Sequence, residues 1–276
     1  MTANNFNRFN ELADFVYKQS GIILKTQHAQ SVQMKLQPLA ETWGLKDVDD
    51  LVAHLQRQRN NAKVIDEVLN ALTIKETSFF RDRRPFDAMR KTIFPELAEK
   101  RGNRPIKLWS AACSTGQEPL SLAITAIEAL GGAQTPADKV VNILGTDISE
   151  AAVARAKEGL YPDLEIRRGV TPEVLRRFFQ QDGDGWRPNP DLRRAIRYRV
   201  MNLQAPDFPL PQFDVISCRN VLIYFDPDGK KAALDEIHRR LRPDGYLFTG
   251  AGEDPARMHD GFTRLRVGGV QCFQKA

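Results

Sequence analysis

Leu108-Trp-Ser-Ala-Ala-Cys-Ser-Thr-Gly-Gln-Glu-Pro119 joins an apolar run to a turn of small residues and then directly to a helical pattern. Small side chains let backbone N–H groups approach a ligand closely, and the start of a helix adds partial positive charge. About thirty residues later a second apolar run, Val140-Val-Asn-Ile-Leu-Gly-Thr-Asp147, ends in an acid. Strand, small turn, helix, strand and acid in that order mark a nucleotide-type cofactor site, with Asp147 available to ribose hydroxyls or, alternatively, as a helix cap.

The turn contains one glycine, Gly116. A dinucleotide fold wants Gly-x-Gly-x-x-Gly to admit a pyrophosphate. The missing cradle counts against NAD and ATP. S-adenosylmethionine carries no phosphate. It needs a small-residue turn, an acid for its ribose and an apolar slot for adenine.

The flanking pattern supplies the elements that would position such a site. Residues 1–83 read as a helical domain. Phe9, Leu12, Ala13 and Val16 share one helical face; further helices are expected over Gln27–Thr42, after Asp47, and around Val64–Leu72. A linker helix is expected over 84–104. From 105 to 276 strands and helices alternate, with strands at Ile106–Ser110, Lys139–Thr146, Ala195–Leu203, Phe213–Arg219 and Tyr246–Gly250, a helix at Asp228–Leu241, and a closing hairpin around Gly268-Gly269. Alternation of this kind gives an α/β fold with a parallel sheet covered by helices. Residues 164–194 interrupt it with turn-rich sequence and read as a small inserted β-subdomain.

Composition agrees with a globular chain, at 42% hydrophobic and 27% charged, with a net charge of +5. No apolar run reaches membrane-spanning length, and the first residues lack the apolar core of a signal peptide, so a cytoplasmic location is expected. Cys113, Cys218 and Cys272 lie far apart and suggest neither a disulfide framework nor a metal site. His28, His54, His238 and His259 are scattered and read as structural. Residues 164–201 hold nine arginines against five acids, which suits either a solvated face or an acidic partner.

Three segments read together carry a resemblance. They are Leu72-Thr-Ile-Lys-Glu-Thr-Ser-Phe-Phe-Arg81, Trp109-Ser-Ala-Ala-Cys-Ser-Thr-Gly-Gln-Glu-Pro119 and Cys218-Arg-Asn-Val-Leu-Ile-Tyr-Phe225. The chain resembles, over nearly its whole length, the chemotaxis receptor glutamate methyltransferases, the CheR family. The resemblance implies a class I methyltransferase (Rossmann-like) sheet, an all-helical N-terminal domain and the inserted β-subdomain. It implies S-adenosyl-L-methionine as cofactor and S-adenosyl-L-homocysteine as product. It also implies a cofactor set of Thr77, Arg81, Ala111, Glu118, Asp147, Asn202, Leu203, Asn220 and Val221, with Arg81 and Tyr224 at the methyl-transfer centre. Lys75 stands where many members have asparagine, and could reach the substrate carboxylate instead. Read without the resemblance, Arg81 could pair with Asp82 or Asp87, Tyr224 could be a core aromatic and Asn202 a turn residue.

These residue types suit the implied chemistry. A glutamate carboxylate, with a reference pKa of about 4.3, is ionised at neutral pH and needs no general base. The enzyme has to hold one oxygen about 3 Å from the methyl carbon. A guanidinium does this through one contact without over-stabilising the ground state. The implied partner is the cytoplasmic helical bundle of a chemoreceptor. Some members also hold a receptor C-terminal peptide on the β-subdomain; here Gln180–Asp191 is shorter than in those members, which favours no tether. A nucleic-acid substrate is disfavoured because Lys and Arg are not interleaved with aromatics in a recognisable module. A non-catalytic binding module is disfavoured by the presence of Arg81, Asp147 and Asn220. Membrane insertion is not expected, and a monomer is the default.

Overall fold

The computed structural model describes residues 6–73, 75–102, 104–131, 135–206 and 209–276. The first helices are α1 (Phe9–Ser20), α2 (Ala29–Thr42), α3 (Val48–Arg57) and α4 (Ala62–Leu72). Leu12, Val16, Leu36, Leu51, Leu55 and Val68, all fully buried, form one apolar cluster among them, as their helical spacing requires. α1 stops at Gly21, whose φ of +70° lets its N–H return to Tyr17 O. Asp47 Oδ1 accepts from Asp50 N–H at 2.9 Å and starts α3. α2 begins later than its sequence pattern suggests, because Thr26–His28 form a separate 3-10 turn.

The linker segment is helical over Arg84–Ala88 and Phe94–Arg101, with a π turn at Met89–Ile93 between them. Its end is anchored electrostatically. Arg101 Nε contacts Asp214 Oδ1 at 2.6 Å, and Arg101 Nη2 contacts Asp244 Oδ1 at 2.7 Å. The second oxygen of Asp214 accepts from Lys107 N–H at 2.8 Å, so both oxygens of the buried carboxylate are engaged.

The strands are β1 (Ile106–Ala111), β2 (Val141–Asp147), β3 (Tyr161–Pro162), β4 (Phe179–Asp182), β5 (Gly185–Pro188), β6 (Ile196–Val200), β7 (Phe213–Cys218), β8 (Leu241–Thr249), β9 (Phe262–Val267) and β10 (Val270–Lys275). Seven of them form one sheet in the order β6-β2-β1-β7-β8-β10-β9. β6, β2, β1, β7 and β8 run parallel, and β10 and β9 close the sheet antiparallel. This is the class I methyltransferase sheet. The chain builds outward from β1 through β2 to β6, then crosses back to β7. The strand order therefore reverses between β1 and β7, and a crevice opens beyond their carboxyl ends. Helix Gln117–Leu130 covers one face of the sheet and helix Pro227–Arg240 the other, each against its own apolar cluster.

The two strand boundaries that differ most from the sequence pattern are those of β6 and β8. β6 ends at Val200, so Met201–Leu203 leave the sheet; Gln204 N–H donates to Asn202 Oδ1 at 3.0 Å and turns the chain there. β8 begins at Leu241, because Pro243-Asp-Gly245 is absorbed as an irregularity opposite Phe213–Val215 instead of ending the preceding loop.

β3, β5 and β4 form a separate three-stranded sheet within residues 161–188. It packs on Phe79, whose ring meets Tyr161 at 5.1 Å and Phe179 at 5.6 Å, both edge-on. Gly169 is required there, since a Cβ would lie 2.0 Å from Phe79 O.

Candidate active site

A cavity of about 700 Å³ lies in that crevice, walled on its open side by α1, α2 and residues 75–81. Its floor is the turn after β1. Ala112 (φ +58°), Ser114 (φ +50°) and Gly116 (φ +97°) all take left-handed conformations there. Two non-glycine residues held this way store strain of about 1–3 kcal/mol each, which surrounding contacts must offset. Gly116 has no alternative, because a Cβ would meet Tyr161 Oη at 2.7 Å.

Asp147 supplies one of those contacts. Its Oδ2 accepts from Ser114 N–H at 2.8 Å and its Oδ1 from Ser149 N–H at 3.0 Å. Burial raises its pKa above the ordinary carboxylate value; the backbone N–H groups of Ser149, Ser114 and Ile148 and the Lys75 ammonium oppose that rise. Asp147 thus braces the turn and prepares helix Glu150–Glu158, and its carboxylate keeps acceptor capacity for a further donor.

Arg81 and Glu118 meet through a third residue. Arg219, with its side chain 4% exposed, donates from Nη1 to Glu118 Oε2 at 3.2 Å and from Nη2 to Arg81 O at 3.0 Å. Its Nη2 also pairs with Asp82, while Asp87 pairs with Arg90. The two acids that could have taken the Arg81 guanidinium are thereby engaged elsewhere. Arg81 Nη1 instead donates to Glu76 O at 3.0 Å, and its side chain lines the cavity. Ser110 Oγ donates to the other Glu118 oxygen at 2.7 Å.

The turn after β7 forms the opposite wall. Asn220 has φ +60°. Glu253 holds it there: the buried carboxylate accepts from the N–H groups of Asn220 (2.8 Å), Val221 (2.9 Å), Ile223 (3.3 Å) and Gly250 (2.7 Å). Tyr224 follows on the same wall. Burial raises its phenol pKa, the nearby Arg81 cation opposes the rise, and the Glu253 and Glu76 charges add to it.

The cavity therefore brings together Thr77, Arg81, Glu118, Asp147, Asn202, Leu203, Asn220, Val221 and Tyr224. Ala111 is not on its wall. That residue ends β1 and packs in the apolar cluster with Trp109 and Ile216, and the small residue that lines the cavity is Ala112. Lys75 also lines it. Burial lowers its pKa, against the pull of Asp147 and Asp66, and its Nζ bonds Asn70 Oδ1. Asn70 Oδ1 also accepts from Ser149 Oγ at 2.9 Å, and Asp66 Oδ1 accepts from Glu150 N–H at 2.8 Å, so α4 is bonded directly to the helix after β2.

A family model described as CheR methyltransferase, SAM binding domain, matches residues 75–267, and one described as CheR methyltransferase, all-alpha domain, matches residues 7–73. The chain belongs to the CheR methyltransferase family. It is 40% identical over 261 residues to chemotaxis protein methyltransferase 1 of Pseudomonas aeruginosa, covering 94% of this chain and 92% of that one. It is 36% identical over 259 residues to chemotaxis protein methyltransferase 1 of Vibrio cholerae (94% and 93% covered), and 35% identical over 254 residues to the Cher2 methyltransferase of Pseudomonas putida (92% and 92%).

The chemistry of this CheR cavity fits S-adenosylmethionine. Asn220 Oδ1 is buried with no hydrogen-bond partner among the described residues and can accept from a bound donor. Asp147 has acceptor capacity left for hydroxyls. Ile148, Met201 and Leu203 give an apolar wall for a ring. The N–H of Ser114, which a phosphate cradle would need, is already used by Asp147. The buried Cys113 thiol on the same wall has its pKa pushed well up by burial, which disfavours the thiolate. Among the described residues no cluster could hold a metal ion, and no helix is long and apolar enough to cross a membrane.

Three supporting residues of this CheR chain escaped sequence reasoning. Arg219 and Asn70 stand in or next to the diagnostic segments, but only the fold shows what they bind. Glu253 carries no sequence signal beyond being an acid after the fifth parallel strand.

Proposed function

We propose that this CheR methyltransferase transfers a methyl group from S-adenosylmethionine to glutamate side-chain carboxylates of chemoreceptors, forming methyl esters. The observation that carries the reading is the placement of Arg81. A guanidinium released from Asp82 and Asp87 lines one cavity with Tyr224 and with the acid that ends β2.

Asp147 would hold the cofactor's ribose hydroxyls, Met201–Leu203 its adenine, and Glu118, Asn220 and Thr77 its methionine end. When bound, the cofactor would supply a methyl group on a cationic sulfur for transfer to a carboxylate oxygen, with the neutral thioether as the leaving group. Arg81 orients the glutamate carboxylate through one oxygen and leaves the other free to attack. Tyr224 donates a hydrogen bond to the same carboxylate; its raised pKa keeps the phenol protonated across the physiological range. No residue has to remove a proton, because the carboxylate is already ionised. The small β4–β5 hairpin lies within the arginine-rich segment 164–201, and its shortness favours an enzyme that is not tethered through a receptor tail peptide. We read the enzyme as cytoplasmic and as a monomer.

The test is a methylation assay with methyl-labelled S-adenosylmethionine and receptor cytoplasmic fragments. Label that is released as methanol by mild base identifies a carboxylate ester. Label that resists base, as an N-methyl group does, overturns the proposal.

A further inference from the structure

Lys75 is tied to both sides of the acid that ends β2. Its Nζ bonds Asn70 Oδ1 on α4, and the same oxygen accepts from Ser149 Oγ at 2.9 Å. Ser149 N–H in turn donates to Asp147 Oδ1 at 3.0 Å. On the other side Ser114 Oγ reaches Lys75 O at 3.5 Å, and Ser114 N–H donates to Asp147 Oδ2 at 2.8 Å. Both serines that aim the Asp147 carboxylate are therefore held by Lys75 or by its partner Asn70. The Nζ partner is an uncharged amide, which leaves the ammonium charge to the acids around it. Those are Asp147 and, on α4, Asp66; Arg155 of helix Glu150–Glu158 repels it and is itself paired with Glu165. The cavity wall also carries the Cys113 thiol, Lys35 of α2, which donates to Leu72 O, His28 and Glu76. At the methyl-transfer end the Tyr224 phenol feels Arg81, Glu253 and Glu76 instead.

We propose that Lys75 is a positioning residue for the cofactor, its cation acting through space on Asp147 and its hydrogen bonds holding the two serines that aim that carboxylate at the ribose hydroxyls. Burial alone favours the neutral acid, and a carboxyl that takes up a proton loses acceptor capacity. The Lys75 ammonium opposes that uptake. Sequence reasoning left Lys75 open to reach the substrate carboxylate; in the structure its Nζ is committed to Asn70 and its charge to Asp147, so it serves the donor end of the cavity. The sign of the effect follows. Ionised Asp147 accepts from the ribose, and protonation at low pH costs affinity. Without the cation the proton is taken up at a higher pH, so the loss begins earlier as pH falls. The proposal rests on the reading of Asp147 as the ribose acid.

The experiment is calorimetry with S-adenosylhomocysteine across about pH 5 to pH 8, the range around a raised carboxyl pKa, on Lys75→Gln, Lys75→Arg and the unaltered enzyme. Glutamine keeps an N–H donor for Asn70 and removes the charge; arginine keeps the charge. In Lys75→Gln the pH below which affinity falls is expected to move up by about one unit, which makes affinity about tenfold lower on the falling limb. Lys75→Arg is expected to restore most of the profile. In an Asp147→Asn background, where that carboxyl no longer titrates, adding Lys75→Gln is expected to shift nothing. An unshifted profile in Lys75→Gln overturns the proposal. So does an affinity lowered equally at every pH, which a merely structural tie would give. A shift that persists in the Asp147→Asn background overturns it as well, since another group such as His28 would then be titrating. A raised KM for a receptor fragment with normal affinity for S-adenosylhomocysteine overturns it in favour of a contact to substrate. Unchanged affinity in Asp147→Asn itself overturns the ribose reading instead.

Discussion

Glu253 fixes the backbone of Asn220: its Oε2 accepts from Asn220 N–H at 2.8 Å, and the residue it holds has φ +60°. The same carboxylate collects three further N–H groups from the loops after β7 and β8. A buried anion with four donors acts as a local template for the cavity wall.

Glu253→Ala should therefore leave several buried N–H groups unpaired. At about 1–3 kcal/mol for each unsatisfied group, urea denaturation should show a loss of at least ~3 kcal/mol. Glu253→Gln keeps one acceptor oxygen and should lose less, with weaker binding of S-adenosylhomocysteine. Stability equal to the unaltered chain in both variants would show that the loops hold their shape without the carboxylate.

Arg81→Ala should lower turnover by about a hundredfold or more while leaving affinity for S-adenosylhomocysteine near normal, because the lost contact orients substrate. Arg81→Lys should recover only part of the rate, since a point charge does not reproduce a planar fork. Steady-state kinetics with calorimetry on the same preparations checks this. Full activity in Arg81→Ala removes the residue from the mechanism.

Asp147→Asn should do the reverse. Both carboxylate oxygens already accept a backbone N–H, and the amide can replace only one of them. Affinity for S-adenosylhomocysteine is expected to fall about tenfold or more, with the turn of Ala112–Gly116 loosened. Unchanged affinity would count against the ribose assignment.

Asp214→Asn should destabilise the fold by about 3 kcal/mol, because it leaves the Arg101 guanidinium with only the partly exposed Asp244 as counter-charge. Arg101, which Asp244 and Asp214 hold above its usual pKa, cannot escape by losing its proton. A melting temperature within a degree or two of the unaltered chain, on the usual scale of mutational shifts, would refute this.

His238 predicts a pH dependence. Burial, then the charges of Lys275 and His259, lower its pKa below 6.5, while Asp235 and a backbone contact at Gly261 pull the other way. The unfolded chain therefore takes up this proton first. Stability from this group is complete above pH ~6.5 and declines as pH falls toward the lower, folded value. His238→Gln should flatten the fall in melting temperature between about pH 7 and pH 5. The carboxylates held low, such as Asp244 by Arg101, act in a separate and more acidic window.

Much of this protein was legible in its sequence because its chemistry is local. The small-residue turn before Gln117 and the acid that ends β2 follow from nearest-neighbour rules: a strand needs apolar residues, a tight turn needs small ones, a helix needs a start. Nine of the ten candidate residues line one cavity. Ala111 does not, since alternation along β1 sends it into the core and the left-handed turn brings Ala112 to the wall. The strand expected to run to Leu203 stops at Val200, because the bond from Gln204 to Asn202 turns the chain.

The sequence by itself determined the order of strands and helices, the absence of a phosphate cradle, and which residue types were on hand for a methyl donor and a carboxylate. Only the tertiary structure decided which charges are free to act. Arg81 is available because Arg219, 137 positions beyond Asp82, captures that acid, and because Asp87 turns to Arg90. Ion pairing depends on distance in space, falling steeply over a few ångströms, and chain separation carries no information about it.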